Sequence, residues 1–268
     1  MVLPPMVDRS AIFKEAPRFI NAVECDFHMG ANFMTRVRPQ IYSQLSFELP
    51  KGSRTLLLGT NGSGKTTLLR MLAGKHFLPK DSLNMAEKPC YHYPRLNETL
   101  NFSGDWWHSA PNFDMTVEEL LDKPITENAR ELIETLDVNL GWDLKRVSSG
   151  QRKRIQLLLS MQRSKDVYLL DEVTADMDVI QRHKFLNWLV LDNQRKNSTL
   201  IYSTHIFEGL DNWPTHLMFV NGQSKNLLKE PFGVVEVTPE LLQQHGGLLQ
   251  IVLTCLGTLK EEEWANNG

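Results

Sequence analysis

The segment Gly59-Thr60-Asn61-Gly62-Ser63-Gly64-Lys65-Thr66 constrains the fold more than any other part of this 268-residue chain. It follows the short apolar run Thr55 to Leu58 and precedes Leu68, Leu69 and Leu72, which recur at helical spacing up to Gly74. Strand, glycine loop and helix in that order predict an α/β unit. Three glycines let backbone N–H groups turn inward with no Cβ in the way, and the helix start aims its positive dipole end at the same point. Lys65 adds a point charge for β- and γ-phosphate oxygens, and the Thr66 hydroxyl can ligate Mg²⁺. Gly59, Thr60, Asn61, Gly62, Ser63, Gly64, Lys65, Thr66 and Thr67 are therefore the candidate phosphate-binding residues. The plain alternative is a glycine-rich turn with a surface lysine, and the flanking strand and helix count against it.

A second part must hold the metal and orient water. Val167 to Leu170 reads as a buried strand, and Asp171-Glu172 follows it. Asp171 at the strand end is a candidate outer partner of Mg²⁺, and Glu172 a candidate to polarise the attacking water. An acidic pair after an apolar run is common at strand ends, so the phosphate loop is what gives this one its meaning.

Composition narrows the class. Lys and Arg number 29 against 32 Asp and Glu, a formal net charge of −3, which disfavours a chain whose main work is electrostatic binding of nucleic acid or an anionic bilayer. With 41% hydrophobic and 23% charged residues the chain can build an ordinary core. No run approaches the length that crosses a bilayer, the longest candidate being Leu248 to Leu259, broken by Gln250 and Thr254. The 3 cysteines, Cys25, Cys90 and Cys255, show no metal-ligand spacing and read as reduced thiols, which predicts a cytoplasmic or nuclear protein.

Along the chain, residues 1–17 are expected to form a flexible tail. Arg18 to Met29 and Gln44 to Leu49 alternate irregularly and predict strands of an antiparallel sheet, with a turn at Lys51-Gly52. Residues 75–115 carry Pro79, Pro89, Pro94 and Pro111 and predict short strands and loops. Helices are expected over Thr116 to Leu121, Asn128 to Leu136, Ser149 to Met161 and about Val179 to Leu191. Strands are expected at Leu200 to Tyr202 and Leu217 to Val220, the latter ending in an Asn221-Gly222 hairpin turn. Leu241, Leu242, Leu249, Val252, Leu253 and Leu256 predict one amphipathic helix packed back on the domain.

Between the two acidic and glycine motifs lies Val147-Ser148-Ser149-Gly150-Gln151, followed by Arg152, Lys153 and Arg154. With this segment in that order, the chain resembles the nucleotide-binding domain of the ATP-binding cassette (ABC) ATPases, whose signature LSGGQ precedes the second acidic motif. The resemblance implies a P-loop NTPase core of α/β class with an antiparallel β subdomain and a helical signature subdomain. It implies an ABC domain over residues 18–225, with the helical subdomain about 105–162, and a C-terminal extension over 226–268, expected to be helical and packed on the domain. In that family two domains meet head to tail, so the resemblance implies ATP and Mg²⁺ as ligands and an ATP-dependent homodimer. Ser148, Ser149, Gly150 and Gln151 would then bind the nucleotide of the other copy. The other reading of Ser148-Ser149 is an ordinary helix N-cap.

By the same resemblance Ala175-Asp176-Met177-Asp178 corresponds to the D-loop, with Asp178 the carboxylate contributed to the partner's site. His205, after Ser203-Thr204, corresponds to the switch histidine and joins Glu172 as a candidate catalytic residue. A lone histidine is otherwise more often structural. Phe27 corresponds to the aromatic that stacks on adenine, against the alternative of a core phenylalanine. The family's Q-loop glutamine has no counterpart in Asn101 to Trp107, where Asp105 is the nearest polar substitute and could reach the metal through water. Trp106 and Trp107 either pack the helical subdomain or form a partner surface.

The wording DEVTADMDVI over Asp171 to Ile180 and STHIFEGLDNWP over Ser203 to Pro214 resembles the small soluble ABC proteins of eukaryotes. These lack transmembrane domains and include a fungal factor associated with the Ccr-Not transcription and deadenylation complex. The resemblance thus implies a nucleotide-dependent switch for a regulatory protein complex in gene regulation. Two other classes stay open: a detached ATPase subunit of a transporter, and an ATP-binding scaffold with negligible turnover, against which Glu172 and His205 count. Iron-sulfur assembly ATPases are a further relative, but their signature usually ends in Glu where this chain has Gln151.

Overall fold

In a computed structural model, which describes residues 18–28, 40–78, 82–85, 88–91, 93, 95–104, 107, 109, 111, 114–220 and 232–256, the apolar runs become neighbouring strands of one sheet. It contains β3 (Arg54–Leu58), β6 (Leu100–Ser103), β7 (Val167–Asp171), β8 (Thr199–Ser203), β9 (His216–Val220) and β10 (Phe232–Glu236), in the order β10-β9-β3-β8-β7-β6. All neighbours are parallel except β10, which lies antiparallel on β9. Every residue of β7, β8 and β9 is buried. Central parallel strands covered on both faces need such unbroken apolar runs, which is why these segments do not alternate.

The two sheet faces carry two cores. Leu57, Leu169, Ile201 and Met218 face Leu68, Leu69 and Leu72 of α1 (Lys65–Leu72). The same core takes in Leu45, Phe47 and Leu49 of β2 (Gln40–Pro50), part of a second, antiparallel sheet with β1 (Arg18–His28), β4 (Leu83–Met85) and β5 (Lys88–Pro89). The opposite face, with Leu56, Tyr168, Leu170 and Tyr202, packs on helices α4 (Glu127–Thr135), α5 (Ser149–Met161) and α6 (Val179–Lys196). The short helices α2 (Leu96–Thr99) and α3 (Val117–Leu120) complete the segments between these.

Several expectations change. The helix expected to end near Leu191 runs to Lys196, because Asp192 and Asn193 are buried polar residues on its inner face rather than signals of a loop. Val220 pairs with Phe232, so residues 221–231 join the two strands and no two-residue turn does. Asn221-Gly222 itself lies outside the described residues. The C-terminal extension, expected to be helical, contains the strand β10 at the sheet edge. The single amphipathic helix expected after it is two, α7 (Pro239–His245) and residues 248–256, because Gly246 and Gly247 take φ of 74 and 109. Leu248, Ile251 and Val252 then reach the helical-side core.

Candidate functional site

The phosphate loop follows β3, His205 follows β8, and Glu172 follows Asp171 at the end of β7. These three strands are adjacent and parallel, so all three segments leave the sheet at one carboxyl edge. Open α/β sheets bind ligands at that edge. Ser203 sits level with Leu57 on one side and Asp171 on the other, which fixes the three chain exits at the same height.

The loop is shaped as a cradle. Gly64 caps α1 with φ 100, a conformation that disfavours any side chain, and the first turn of α1 holds no acidic residue to oppose an anion. A Cβ on Gly59 would lie 2.4 Å from Ser63 Oγ and 2.5 Å from the Val220 carbonyl oxygen. Lys65 Nζ donates to the carbonyls of Gly59 at 2.9 Å and Thr60 at 3.0 Å, so its ammonium lies across the loop. Burial lowers the Lys65 pKa, opposed by the charges of Glu172 and Asp171. Asn61 and Thr66 are exposed, while Ser63 is buried. The Thr67 residue is half-buried.

The Thr66 hydroxyl donates to Asp171 Oδ2 at 2.7 Å, joining the end of the loop to the end of β7. Next to it, Glu172 adopts φ 51, a left-handed conformation unusual for a glutamate, with its N–H donating to the Ser203 carbonyl at 3.0 Å. That geometry brings Glu172 Oε1 within 2.9 Å of His205 Nδ1. The His205 side chain is 71% exposed and Glu172 30%, so the pair faces outward from the sheet edge.

These residues fit Mg²⁺ and phosphate. Thr66 and Asp171 offer hard oxygen ligands side by side, as Mg²⁺ prefers, with few protein ligands and water or phosphate completing its shell. Ser63 Oγ and Glu172 Oε2 are buried polar atoms with no hydrogen-bond partner among the described residues. Such atoms cost free energy unless a ligand or water satisfies them.

The signature segment starts α5. Ser148 Oγ accepts from the Gln151 N–H at 3.2 Å, and Gln151 Oε1 accepts from the Ser148 N–H at 2.8 Å, a reciprocal capping box. Ser148 and Ser149 are exposed and Gly150 half-buried, and a helix start also carries N–H groups at Ser149 and Gly150 with no acceptor inside the helix. The N-cap alternative is therefore present, and it is compatible with anion binding. Asp178 Oδ1 likewise accepts from Gln181 at 2.9 Å as the N-cap of α6, so part of that carboxylate is engaged within its own chain. Of the basic residues in α5, Arg154 donates to the carbonyls of Leu136 and Asp137 at 3.1 Å, and Lys153 pairs with Asp176.

Asp105 and Trp106 lie outside the described residues. Trp107 packs against the helical-side core, and its backbone N–H donates to Gln156 Oε1 of α5 at 2.7 Å. Phe27 belongs to β1 opposite Tyr42, and its side chain lies outside what is described. Two residues of the site were missed by sequence reasoning. The buried Tyr42 hydroxyl donates to the Gly64 carbonyl at 2.5 Å, tying β2 to the phosphate loop. Gly104 touches Asp171 so closely that a Cβ there would lie 2.8 Å from the Asp171 Cβ. The only sequence signal for Tyr42 is a tyrosine in an apolar strand, where a buried hydroxyl needs a partner.

Known proteins resemble this chain in sequence and in fold. Residues 42–175 match the family described as ABC transporter. ABC transporter I family member 21 of Arabidopsis thaliana is 37% identical over 207 residues, 72% of this chain and 73% of that protein. CCR4-associated factor 16 of Saccharomyces cerevisiae is 33% identical over 193 residues, 65% of this chain and 67% of that protein. Among solved structures, an ATP-binding cassette in a dimeric post-hydrolysis state bound to ADP and Pi has a TM-score of 0.66. It covers 82% of this chain and 99% of its own at 13% identity, a likeness of fold alone. No helix among the described residues is long and apolar enough to cross a membrane.

Proposed function

The chain belongs to the ATP-binding cassette (ABC) family of ATPases, and on that premise we propose that it binds and hydrolyses Mg-ATP between two copies of itself as a switch for a protein complex in gene regulation. The observation that carries hydrolysis is the convergence of Thr66 on Asp171 and of Glu172 on His205 at one strand edge. In this reading the loop N–H groups and Lys65 hold the β- and γ-phosphates, and Thr66 with Asp171 holds the metal. Mg²⁺ would supply neutralisation of charge developing on the phosphate oxygens. Glu172 orients and takes the proton of the attacking water, and the bond to His205 keeps its carboxylate aimed. Ser148 and the N–H groups of Ser149 and Gly150 serve the nucleotide of the second copy, with Gln151 holding the Ser148 cap and Asp178 beside them.

The regulatory role rests on the similarity to CCR4-associated factor 16, whose name records an association of that protein. A detached transporter subunit is the alternative, favoured by the family description itself. Affinity purification of a hydrolysis-blocked variant separates the two, since a membrane-embedded partner supports the second and subunits of a regulatory complex the first.

Glu172→Gln tests site and assembly together. It keeps shape and removes the base, so turnover should fall by about 10² to 10⁴, roughly 2.7 to 5.4 kcal/mol of barrier. ATP affinity should hold or improve, since a negative charge beside the γ-phosphate is lost. With Mg-ATP the variant should sediment as a homodimer, and adding Ser148→Arg should return it to monomer. A Glu172→Gln chain that stays monomeric at saturating ATP refutes the self-paired arrangement.

A further inference from the structure

The geometry points to Lys153 and Asp176 as positioning residues that fasten the loop after β7 to the signature helix, so that both segments of one copy reach the nucleotide of the other as a single unit. This inference rests on the two-copy reading above.

Lys153 stands one turn beyond Ser149 on α5, at i+4 from it and i+3 from Gly150, and so on the face that begins at the signature. Its ammonium pairs with the Asp176 carboxylate. A second contact is independent of charge: a Cβ on Gly150 would lie 3.8 Å from the Asp176 carbonyl oxygen, so the backbone of the loop already runs against the first turn of α5. The loop is short and internally bonded. Ala175 N–H donates to the Glu172 carbonyl at 3.4 Å and Met177 N–H to the Thr174 carbonyl at 3.1 Å. It starts at Glu172 and ends at Asp178, the cap of α6, so a shift at Asp176 is passed to the residues on either side.

Lys153 is 26% exposed and Asp176 49%, a partly screened pair. A pair of this kind shifts an equilibrium by about fivefold at most. A closed dimer with two-fold symmetry would use the pair twice, so its association constant should change by the square, about 25-fold.

The test has two arms. In the ATP-free single chain, amide exchange at Ala175 and Met177 should quicken about fivefold in Lys153→Ala and return to the original rate in Lys153→Arg and in the double exchange Lys153→Asp with Asp176→Lys. Unchanged exchange in Lys153→Ala overturns the proposal whatever the dimer does. In the Glu172→Gln background with saturating Mg-ATP, Lys153→Ala and Asp176→Ala should each weaken dimerisation by about 10- to 25-fold while ATP affinity of the single chain stays within about twofold. The double alanine variant should be no worse than either single one, and the charge exchange should recover most of the loss. Additive losses, or no recovery on exchange, overturn the coupling. Should Glu172→Gln itself fail to dimerise, the two-copy reading falls, and the exchange arm still decides whether the two segments are tied.

Discussion

Tyr42→Phe isolates the link between the antiparallel sheet and the phosphate loop. The hydroxyl is buried, at 2% exposure for the residue, and its 2.5 Å bond to the Gly64 carbonyl is among the contacts removed. The same carbonyl also accepts from Leu68 N–H at 2.8 Å, so the substitution leaves no orphaned acceptor. The loss at this bond is therefore that of one net hydrogen bond, about 1 kcal/mol. If the bond holds Gly64 in the left-handed conformation that starts α1, the ATP-binding geometry is weakened by no more than that, about fivefold in affinity. Urea unfolding reads the first quantity and calorimetric titration with ATP the second. Tyr168→Phe is the control, because its hydroxyl accepts from Lys165 N–H at 3.1 Å at the far end of β7, and it should cost stability without affinity. Burial also raises the Tyr42 pKa above its ordinary 10.0. The neutral phenol is then favoured by folding, a contribution fully present below pH 10 and lost as pH rises beyond it, so the alkaline loss of stability should be shallower in Tyr42→Phe. A stability loss with ATP affinity unchanged would refute the anchoring role and leave Tyr42 as core alone.

Gly104→Ala should push the Asp171 strand end or the Phe102 ring aside, since its Cβ would stand 2.8 Å and 2.9 Å from them, at a cost of about 1 to 3 kcal/mol. Turnover at limiting Mg²⁺ should fall about tenfold and recover as Mg²⁺ is raised, and an unchanged Mg²⁺ dependence would show that the ring alone yields. Glu131 of α4 accepts from Trp188 Nε1 at 2.6 Å and takes both Arg195 nitrogens of α6 at 2.6 and 2.7 Å. The Arg195 hydrogen bonds are the main cause of a Glu131 pKa lowered from 4.5 to about 2. A lowered carboxyl contributes stability that is present above pH 4.5 and lost as pH falls through about 2. Glu131→Gln should thus cost about 1 kcal/mol at pH 7 after allowance for solvent screening, with the difference from the unsubstituted chain shrinking below pH 4, as followed by urea unfolding.

Contiguous chemistry was legible in the sequence. The loop Gly59 to Thr66 and the pair Asp171-Glu172 each carry their meaning in adjacent residues flanked by a strand, and the buried strands β7 to β9 announce themselves as unbroken apolar runs. What escaped depends on partners distant in sequence or on broken periodicity. The run Phe232 to Glu236 contains Gly233 and is separated from its partner β9 by residues 221–231, so nothing local marks it as the next strand of the sheet. The leucines from Leu241 to Leu256 keep a helical rhythm across Gly246-Gly247, and only the backbone of those two glycines ends one helix and starts another.

The same distinction runs through the site. Glu172 is marked in the sequence by its place after Asp171, but the role proposed for it depends on a conformation that glutamate does not favour, φ 51. That conformation is held by the Ser203 carbonyl, and Ser203 stands opposite Asp171 only because β7 and β8 pair in this register. Two residues further on, the chain reaches His205, whose imidazole meets the carboxylate so aimed. The candidate base, the bond that turns it and the histidine that receives it therefore all follow from one strand pairing. A one-residue slip between β7 and β8 would move Ser203 from its place opposite Asp171 and release Glu172, even with every site residue unchanged.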